Sequence, residues 1–128
     1  QYPDSHITFH SHITPDDLIL YADENLISQV LINLLKNAIQ AIEAAEIPEG
    51  IITLHAYCNE NEAVLIEVSN NGPAILSEVA EHIFIPFFTT KEGGSGIGLS
   101  ISRQIMRLSG GSLSLHPGKE TMFVLKFN

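Results

Sequence analysis

The feature that most constrains this chain is the run Thr89-Thr90-Lys91-Glu92-Gly93-Gly94-Ser95-Gly96-Ile97-Gly98-Leu99, with glycine at 93, 94, 96 and 98. A periodic apolar segment follows at once (Leu99, Ile101, Ile105, Met106, Leu108), which predicts a helix over 98–109 stopped by Gly110-Gly111. Glycine lets backbone N–H groups turn toward one point with no Cβ in the way. A helix that starts there adds unpaired N–H donors and the positive end of its dipole. The combination suits an anion, most often a phosphate, and Lys91 supplies a nearby cation. The same run also fits an ordinary glycine-rich turn before a helix. Two familiar phosphate loops are excluded. Gly94-Ser95-Gly96-Ile97-Gly98 is not G-x-G-x-x-G with a following acid, and no Gly-Lys-Ser or Gly-Lys-Thr occurs.

Charge sets what such a site must work against. Asp and Glu number 15 against 6 Lys and Arg, a formal net charge of −9. That surface repels nucleic acid and anionic membranes, so neither is an expected partner. It repels a nucleotide as well, so a polyphosphate site must rely on backbone dipoles, a few cations and Mg²⁺. The single cysteine, Cys58, allows no internal disulfide and is compatible with a reducing compartment. No apolar run reaches the length of a membrane span, and no signal peptide is visible. With 128 residues, 45% of them hydrophobic, one domain with a real core is expected over 1–128. The abrupt ends suggest a C-terminal fragment of a larger chain.

Periodicity outlines the elements. Residues 6–13 alternate, with Ile7, Phe9 and Ile13 on one side and His6, Thr8, His10 and His12 on the other, so a strand with one buried face is expected. Leu18-Ile19-Leu20-Tyr21 reads as a second short strand. Residues 23–45 read as a long helix with Asp23 at its start, and Pro48 and Gly50 close that region. Ile51–Tyr57 and Ala63–Ser69 read as paired strands, and Ser112–His116 with Thr121–Phe127 as a terminal hairpin. Residues 70–98 look irregular apart from a short helix near 77–83, long for a plain loop and suited to a lid. The predicted class is α/β (α+β): one sheet covered on one face by helices.

Two polar patterns stand out. On the long helix Gln29, Asn33, Lys36, Asn37 and Gln40 share one side, while Val30, Leu31, Leu34, Leu35, Ala38, Ile39 and Ile42 fill the rest. Asn33 and Asn37 are one turn apart, and asparagine is a poor helix former. The stripe is either a solvated face or a source of neutral oxygen ligands for Mg²⁺ beside a polyphosphate. Ser69-Asn70-Asn71-Gly72-Pro73-Ala74-Ile75 follows a strand and taken alone reads as a turn. His10 and His12, with His6, share a strand face that is either simply exposed or a weak candidate for a metal. Phe84, Phe87 and Phe88 fit anchors that hold a loop to the core.

Taken in order, these segments resemble the ATP-binding catalytic domain of sensor histidine kinases, within the gyrase, Hsp90, histidine kinase and MutL ATPase family. Asn33-Leu34-Leu35-Lys36-Asn37-Ala38 is similar to that family's N box. Asn70-Asn71-Gly72-Pro73-Ala74-Ile75 stands where the first glycine box belongs. Ile83-Phe84-Ile85-Pro86-Phe87-Phe88-Thr89-Thr90-Lys91 is similar to the F box, Gly94-Ser95-Gly96-Ile97-Gly98-Leu99 to the second glycine box, and Gly110-Gly111 to a glycine pair before the last hairpin.

The resemblance implies a Bergerat-type two-layer sandwich, a mixed, mostly antiparallel sheet covered on one face by helices, with ATP under a flexible lid. It implies Mg²⁺ held by Asn37, with Asn33 beside the phosphates and Lys91 reaching the terminal phosphate when the lid closes, so that Lys91 and Asn33 are the expected catalytic residues. Backbone N–H groups of Gly96, Ile97, Gly98 and Leu99 are expected to hold the triphosphate, with Gly94, Ser95, Thr89, Thr90, Phe87 and Gln40 around it. Asn70, Gly72, Ala74, Ile75 and Thr121 are expected near the adenine. The implied reaction is transfer of the γ-phosphoryl group to a histidine on the protein's own dimerisation domain, with a response regulator as indirect partner. The implied setting is cytoplasmic, free or as the inner portion of a membrane-anchored sensor. The isolated domain is expected to be a monomer, and the whole protein a homodimer.

Some members hydrolyse ATP with a glutamate four residues before the Mg²⁺ asparagine. That position here is Asn33, and a neutral amide is no general base. Asp23 and Glu24 lie more than two helical turns away, so transfer is favoured over hydrolysis. A serine kinase of the anti-sigma-factor type and a binding module that has lost catalysis are the alternatives. None of the six histidines carries the acidic neighbour on a helix that marks a phosphoacceptor, so the acceptor is expected outside this chain. Three features depart from the pattern, one of them the aromatic that often follows the N box, replaced here by Gln40-Ala41. The first glycine box usually opens with an aspartate that accepts from the adenine amino group, and here it is Asn70. Its second glycine is Ala74. Loss of the charge predicts weaker ATP binding, by about 1–2 kcal/mol, and relaxed discrimination against guanine.

Overall fold

The computed structural model describes residues 7–14, 18, 20, 22–73, 75, 77–80, 82–85, 98–116 and 120–127. The long amphipathic segment forms helix α1, Glu24–Ala44. Asp23 caps it: its backbone is extended and its Oδ1 accepts from the Leu26 N–H at 3.1 Å. Glu24 adds a favourable charge to the first turn. At the other end Glu46 takes a left-handed φ of 55° while the Ile47 N–H donates back to the Ile42 carbonyl at 3.2 Å. This pairing satisfies a terminal carbonyl and turns the chain before Pro48.

Five strands form one sheet in the order β1-β2-β3-β5-β4. They are β1 (Ile7–Thr14), β2 (Gly50–Cys58), β3 (Val64–Asn70), β4 (Gly111–His116) and β5 (Thr121–Phe127). β1 runs parallel to β2, and every other pairing is antiparallel. Asn59 shapes the β2–β3 connection by accepting from the Asn61 and Ala63 N–H groups at 2.9 and 3.0 Å. Two short helices complete the description: α2 (Ser77–Ala80) and α3 (Gly98–Leu108).

Registers align the inward side chains in rows. Ala56, Ile66, Leu125 and Leu113 form one row, and Leu54, Val68, Phe123 and Leu115 the next. The buried stripe of α1 (Ile27, Val30, Leu34) and Ile105 and Met106 of α3 pack on these rows. Further along α1, Ala38, Ile39 and Ile42 cover Ile52 and reach Ile7. The next row toward the loops is different. It pairs Asn70 with Thr121, and both are buried. The hydrophobic face therefore ends in two polar side chains where β3 leaves the sheet.

The glycine pair before the last hairpin has two separate causes. Gly110 sits at φ 80°, and its N–H donates to the Arg107 carbonyl at 3.1 Å to close α3. Gly111 lies so close to the Lys126 backbone carbonyl that no Cβ fits.

Three expectations are corrected. The apolar side of β1 is not buried: Phe9 is 54% exposed and Ile13 48%, because β1 is an edge strand and the helices cover the middle of the sheet. Leu18 and Leu20 are not in a strand. They lie partly buried against the core as irregular chain, while Ile19 and Tyr21 fall outside the described residues. The short helix expected over 77–83 ends at Ala80, followed by turns in which the His82 and Ile85 N–H groups donate to Val79 and His82 carbonyls, each at 2.9 Å.

Candidate functional site

The polar row at the end of the sheet organises the loop that follows it. Asn70 is 4% exposed, and its Oδ1 accepts from the Gly72 N–H at 2.9 Å, a local turn that only a short polar side chain makes. Thr121, its partner across the ladder, donates its hydroxyl to the Pro73 carbonyl at 3.1 Å. Asn71 faces the other way and imitates one more rung of the sheet. Its Oδ1 accepts from the Ile51 N–H at 2.7 Å and its Nδ2 donates to the Glu49 carbonyl at 2.9 Å. The loop is thus pinned from both sides. Gly72 lies against α1, where a Cβ would stand 3.6 Å from the Ala41 carbonyl and 2.9 Å from Asn70 Oδ1.

One end of the polar stripe on α1 meets helix α3. Asn33 Nδ2 donates to Ser102 Oγ at 3.1 Å and more weakly to the Gly98 carbonyl at 3.4 Å, while its Oδ1 accepts from Gln29 Nε2 at 3.1 Å. Gly98 opens α3, and an added Cβ there would lie 3.9 Å from the Asn33 carboxamide carbon. The first turn of α3 carries no acidic side chain, so no carboxylate there offsets the positive end of its dipole.

These two features mark the ends of one line. The α3 terminus sits beside Asn33 and the pinned loop beside Ala41, about 12 Å apart along the helix axis at ~1.5 Å per residue. Asn37 lies midway, half-buried, and among the described residues its carboxamide has no hydrogen-bond partner. Gln40 is exposed on the same side. Ile75 and Leu99 are half-buried and pack against the main core. Phe84 packs edge-on against Phe123, with ring centroids 6.3 Å apart, and Arg103 of α3 lies over its ring at 4.4 Å. That docks residues 82–85 onto α3 and β5, the anchoring expected of Phe84.

Of the expected site residues, Asn33, Asn37, Gln40, Asn70, Gly72, Ile75, Gly98, Leu99 and Thr121 are therefore placed. Ala74, Phe87, Thr89, Thr90, Lys91, Gly94, Ser95, Gly96 and Ile97, with Phe88, lie outside the described residues. Ser102 was not anticipated. It is fully buried and looks like part of the apolar stripe of α3, although its place one turn after Gly98 is the signal that marks it. Asn71 likewise reads as an ordinary turn residue until its contacts with Glu49 and Ile51 are seen.

The arrangement suits an extended polyanion with a divalent cation. A glycine-opened helix terminus without acids faces one end, and a neutral, uncommitted carboxamide oxygen stands at the middle. Asn33 is less suited to hold a metal, since its Oδ1 already accepts from Gln29. On the outer face of the sheet, among the described residues, no three His, Cys, Asp or Glu side chains are gathered as a metal site. His10 and His12 stay on an exposed face.

Comparisons with known proteins place the chain in a family and a fold. The profile of the family described as histidine kinase-, DNA gyrase B- and HSP90-like ATPase matches residues 22–128. The C4-dicarboxylate transport sensor protein DctB of Rhizobium meliloti (strain 1021) is 39% identical over 107 residues, covering 83% of this chain and 17% of that protein. The adaptive-response sensory kinase SasA of Microcystis aeruginosa is 41% identical over 111 residues, covering 84% of this chain and 28% of its own length. The chain thus spans a small part of these curated relatives. Among solved structures, the nucleotide-free catalytic domain of histidine kinase ThkA is 36% identical with a TM-score of 0.83, covering 98% of this chain and 81% of that one. Full-length ShkA in complex with AMPPNP superposes with a TM-score of 0.80 at 25% identity, over 94% of this chain and 25% of that one. The fold is the Bergerat sandwich of these domains, and the chain belongs to the histidine kinase-, DNA gyrase B- and HSP90-like ATPase family, on its sensor histidine kinase catalytic-domain side.

Proposed function

We propose that this chain is the ATP-binding catalytic domain of a two-component sensor kinase, one that binds Mg-ATP along α1 and donates the γ-phosphoryl group to a histidine of the same protein's dimerisation domain. The observation that carries the reading is the line from Gly98 beside Asn33, through Asn37, to Gly72 beside Ala41. It places an anion-binding helix terminus at one end, a neutral oxygen ligand in the middle, and a buried hydrogen-bonding pair, Asn70 and Thr121, at the other. Such a line has the reach of a nucleoside triphosphate laid lengthwise.

In this reading the purine lies at Asn70, Gly72, Ile75 and Thr121, and the phosphates lie at the start of α3. Asn37 offers its oxygen to Mg²⁺, which when bound would neutralise phosphate charge. The proposed nucleotide contacts further include Gln40 and Leu99 and, by resemblance to the family's boxes, Ala74, Phe87, Thr89, Thr90, Gly94, Ser95, Gly96 and Ile97, with Lys91 proposed for the terminal phosphate. Asn33 holds α1 against the first turn of α3 and keeps the phosphate cradle in register. Because Asn33 is neutral and already hydrogen-bonded on both sides, it cannot take a proton from water. The site therefore positions a phosphoryl donor and leaves the nucleophile to the acceptor domain.

The domain acts on the cytoplasmic side, beside a dimerisation domain that supplies the acceptor histidine, with a response regulator as the next acceptor. ThkA has been solved in complex with response regulator TrrA, in a chain that this one matches at 34% identity with a TM-score of 0.78, over 98% of this chain and 35% of that one. No described helix is long and apolar enough to cross a membrane. The test is phosphotransfer from γ-labelled ATP to the dimerisation domain of the same protein. Acid-labile, base-stable label on the acceptor is expected, and its absence with ATP bound would refute the transfer step.

A further inference from the structure

The chemistry of the buried end of the site differs from what an adenine would select, and this inference rests on the nucleotide-site reading above. Asn70 is the deepest polar side chain there, at 4% exposure. Its carboxamide has two different ends, and the structure determines which way each points. The Gly72 N–H is a donor, so the group facing it at 2.9 Å must be the oxygen. The nitrogen therefore points the other way. Among the described residues Nδ2 has no hydrogen-bond partner, yet no fully occluded side-chain nitrogen or oxygen among them lacks one. Nδ2 is thus an uncommitted donor that keeps some reachable surface. Thr121, beside it, has already committed its hydroxyl hydrogen to Pro73.

A carboxylate at position 70 would behave differently. One oxygen would accept from Gly72 and the other would remain an acceptor, suited to the 6-amino group of adenine. The carboxamide offers two N–H bonds where that acceptor would be. A 6-amino group facing it sets donor against donor, and a buried donor left unpaired is costly. A 6-oxo group presents an acceptor and pairs with Nδ2 directly. We infer that the base end of this site accepts 6-oxopurine nucleoside triphosphates at least as well as ATP, with Asn70 as the specificity-determining residue.

Inosine triphosphate is the discriminating probe, because it carries the 6-oxo group without the extra 2-amino group of guanine. Calorimetric titration of the chain with ATP and with ITP, each with Mg²⁺, gives the ratio of affinities. ITP is expected to bind as tightly as ATP or more so. In Asn70→Asp, the ratio is expected to move toward ATP by about tenfold, the equivalent of ~1.4 kcal/mol. Tighter ATP than ITP binding by the native chain would overturn the inference and leave the nucleotide site standing. So would an unchanged ratio in a folded Asn70→Asp. If neither triphosphate binds, the nucleotide-site reading fails and this inference with it. Should Asn70→Asp not fold, the comparison on the native chain decides alone.

Discussion

The contact between Asn33 and Ser102 joins the two helices of the site, and its removal makes a quantitative test. In Asn33→Ala the Ser102 oxygen, fully buried, loses the N–H that it accepts at 3.1 Å. An orphaned buried acceptor costs about 1–3 kcal/mol. The lower half of that range applies, because a helical serine hydroxyl can still donate to the carbonyl one turn back. Loss of the exposed Gln29 contact adds about 0.3 kcal/mol, while alanine as the better helix former returns about 0.6. The net loss is about 0.7–1.7 kcal/mol. With an unfolding entropy of ~2.1 cal/mol/K per residue, a chain of 128 residues loses roughly 4 °C of Tm per kcal/mol, so a drop of about 3–7 °C is expected. Ser102→Ala should cost less, about 0.5–1 kcal/mol, since the half-buried amide of Asn33 can turn to water. The decisive quantity is the coupling. Urea unfolding of both single variants and the double variant should give about 0.5–1 kcal/mol of interaction. Strict additivity would mean that the bridge does not form, and the placement of the α3 terminus beside α1 would lose its support.

Further outcomes follow from other contacts. Gly111→Ala should destabilise by more than Gly110→Ala: the first drives a Cβ into the Lys126 backbone carbonyl, while the second meets open space and pays only for its φ of 80°, about 1–2 kcal/mol. Equal losses in thermal unfolding would contradict the two separate causes. A hydrogen bond to Glu67 at 2.8 Å, then burial, then the same carboxylate's charge raise the Tyr57 phenol above its usual 10.0. A raised acid favours the protonated folded state, so this stability is present below the unfolded value near 10 and is lost as pH rises through the folded value. Tyr57→Phe should therefore be less stable than the native chain at pH 8, with the gap closing at strongly alkaline pH. A gap that widens instead would reverse the sign. Thr121→Val removes the bond to Pro73 and should cost about 1 kcal/mol in urea unfolding while speeding hydrogen exchange at the Asn71 and Gly72 amides; unchanged exchange there would show that the loop is held without Thr121.

Sequence patterns reveal the core elements more readily than the site's wiring, for physical reasons. The stripe of α1 and the alternation in β2, β3 and β5 are repeated signals, each residue confirming its neighbours, so these elements and their order were legible. The failure at β1 has the same root. Its alternation is real, but alternation reports only that two faces differ, and whether one is covered depends on where the helices end. Leu18 and Leu20 show the converse, apolar residues that reach the core without pairing into a sheet. In the site, Asn33 and Asn37 were visible because asparagine is costly inside a helix. Their separate conditions were not, because the rotamer of Gln29 and the approach of Ser102 and Gly98 commit both ends of the Asn33 carboxamide and leave Asn37 open. The orientation of Asn70 depends likewise on the position of a single backbone N–H.

The central claim is a Mg²⁺-dependent nucleotide site strung along α1 and centred on Asn37. Calorimetric titration of the native chain and Asn37→Ala with ATP, with and without Mg²⁺, tests it most directly. The account predicts binding at a Kd of about 1 mM or tighter, a standard free energy of at least ~4.1 kcal/mol in favour of the complex. It predicts strengthening by Mg²⁺ in the native chain and loss of that strengthening in Asn37→Ala. Absence of ATP binding at several times that concentration, or a Mg²⁺ effect that survives in Asn37→Ala, would contradict it.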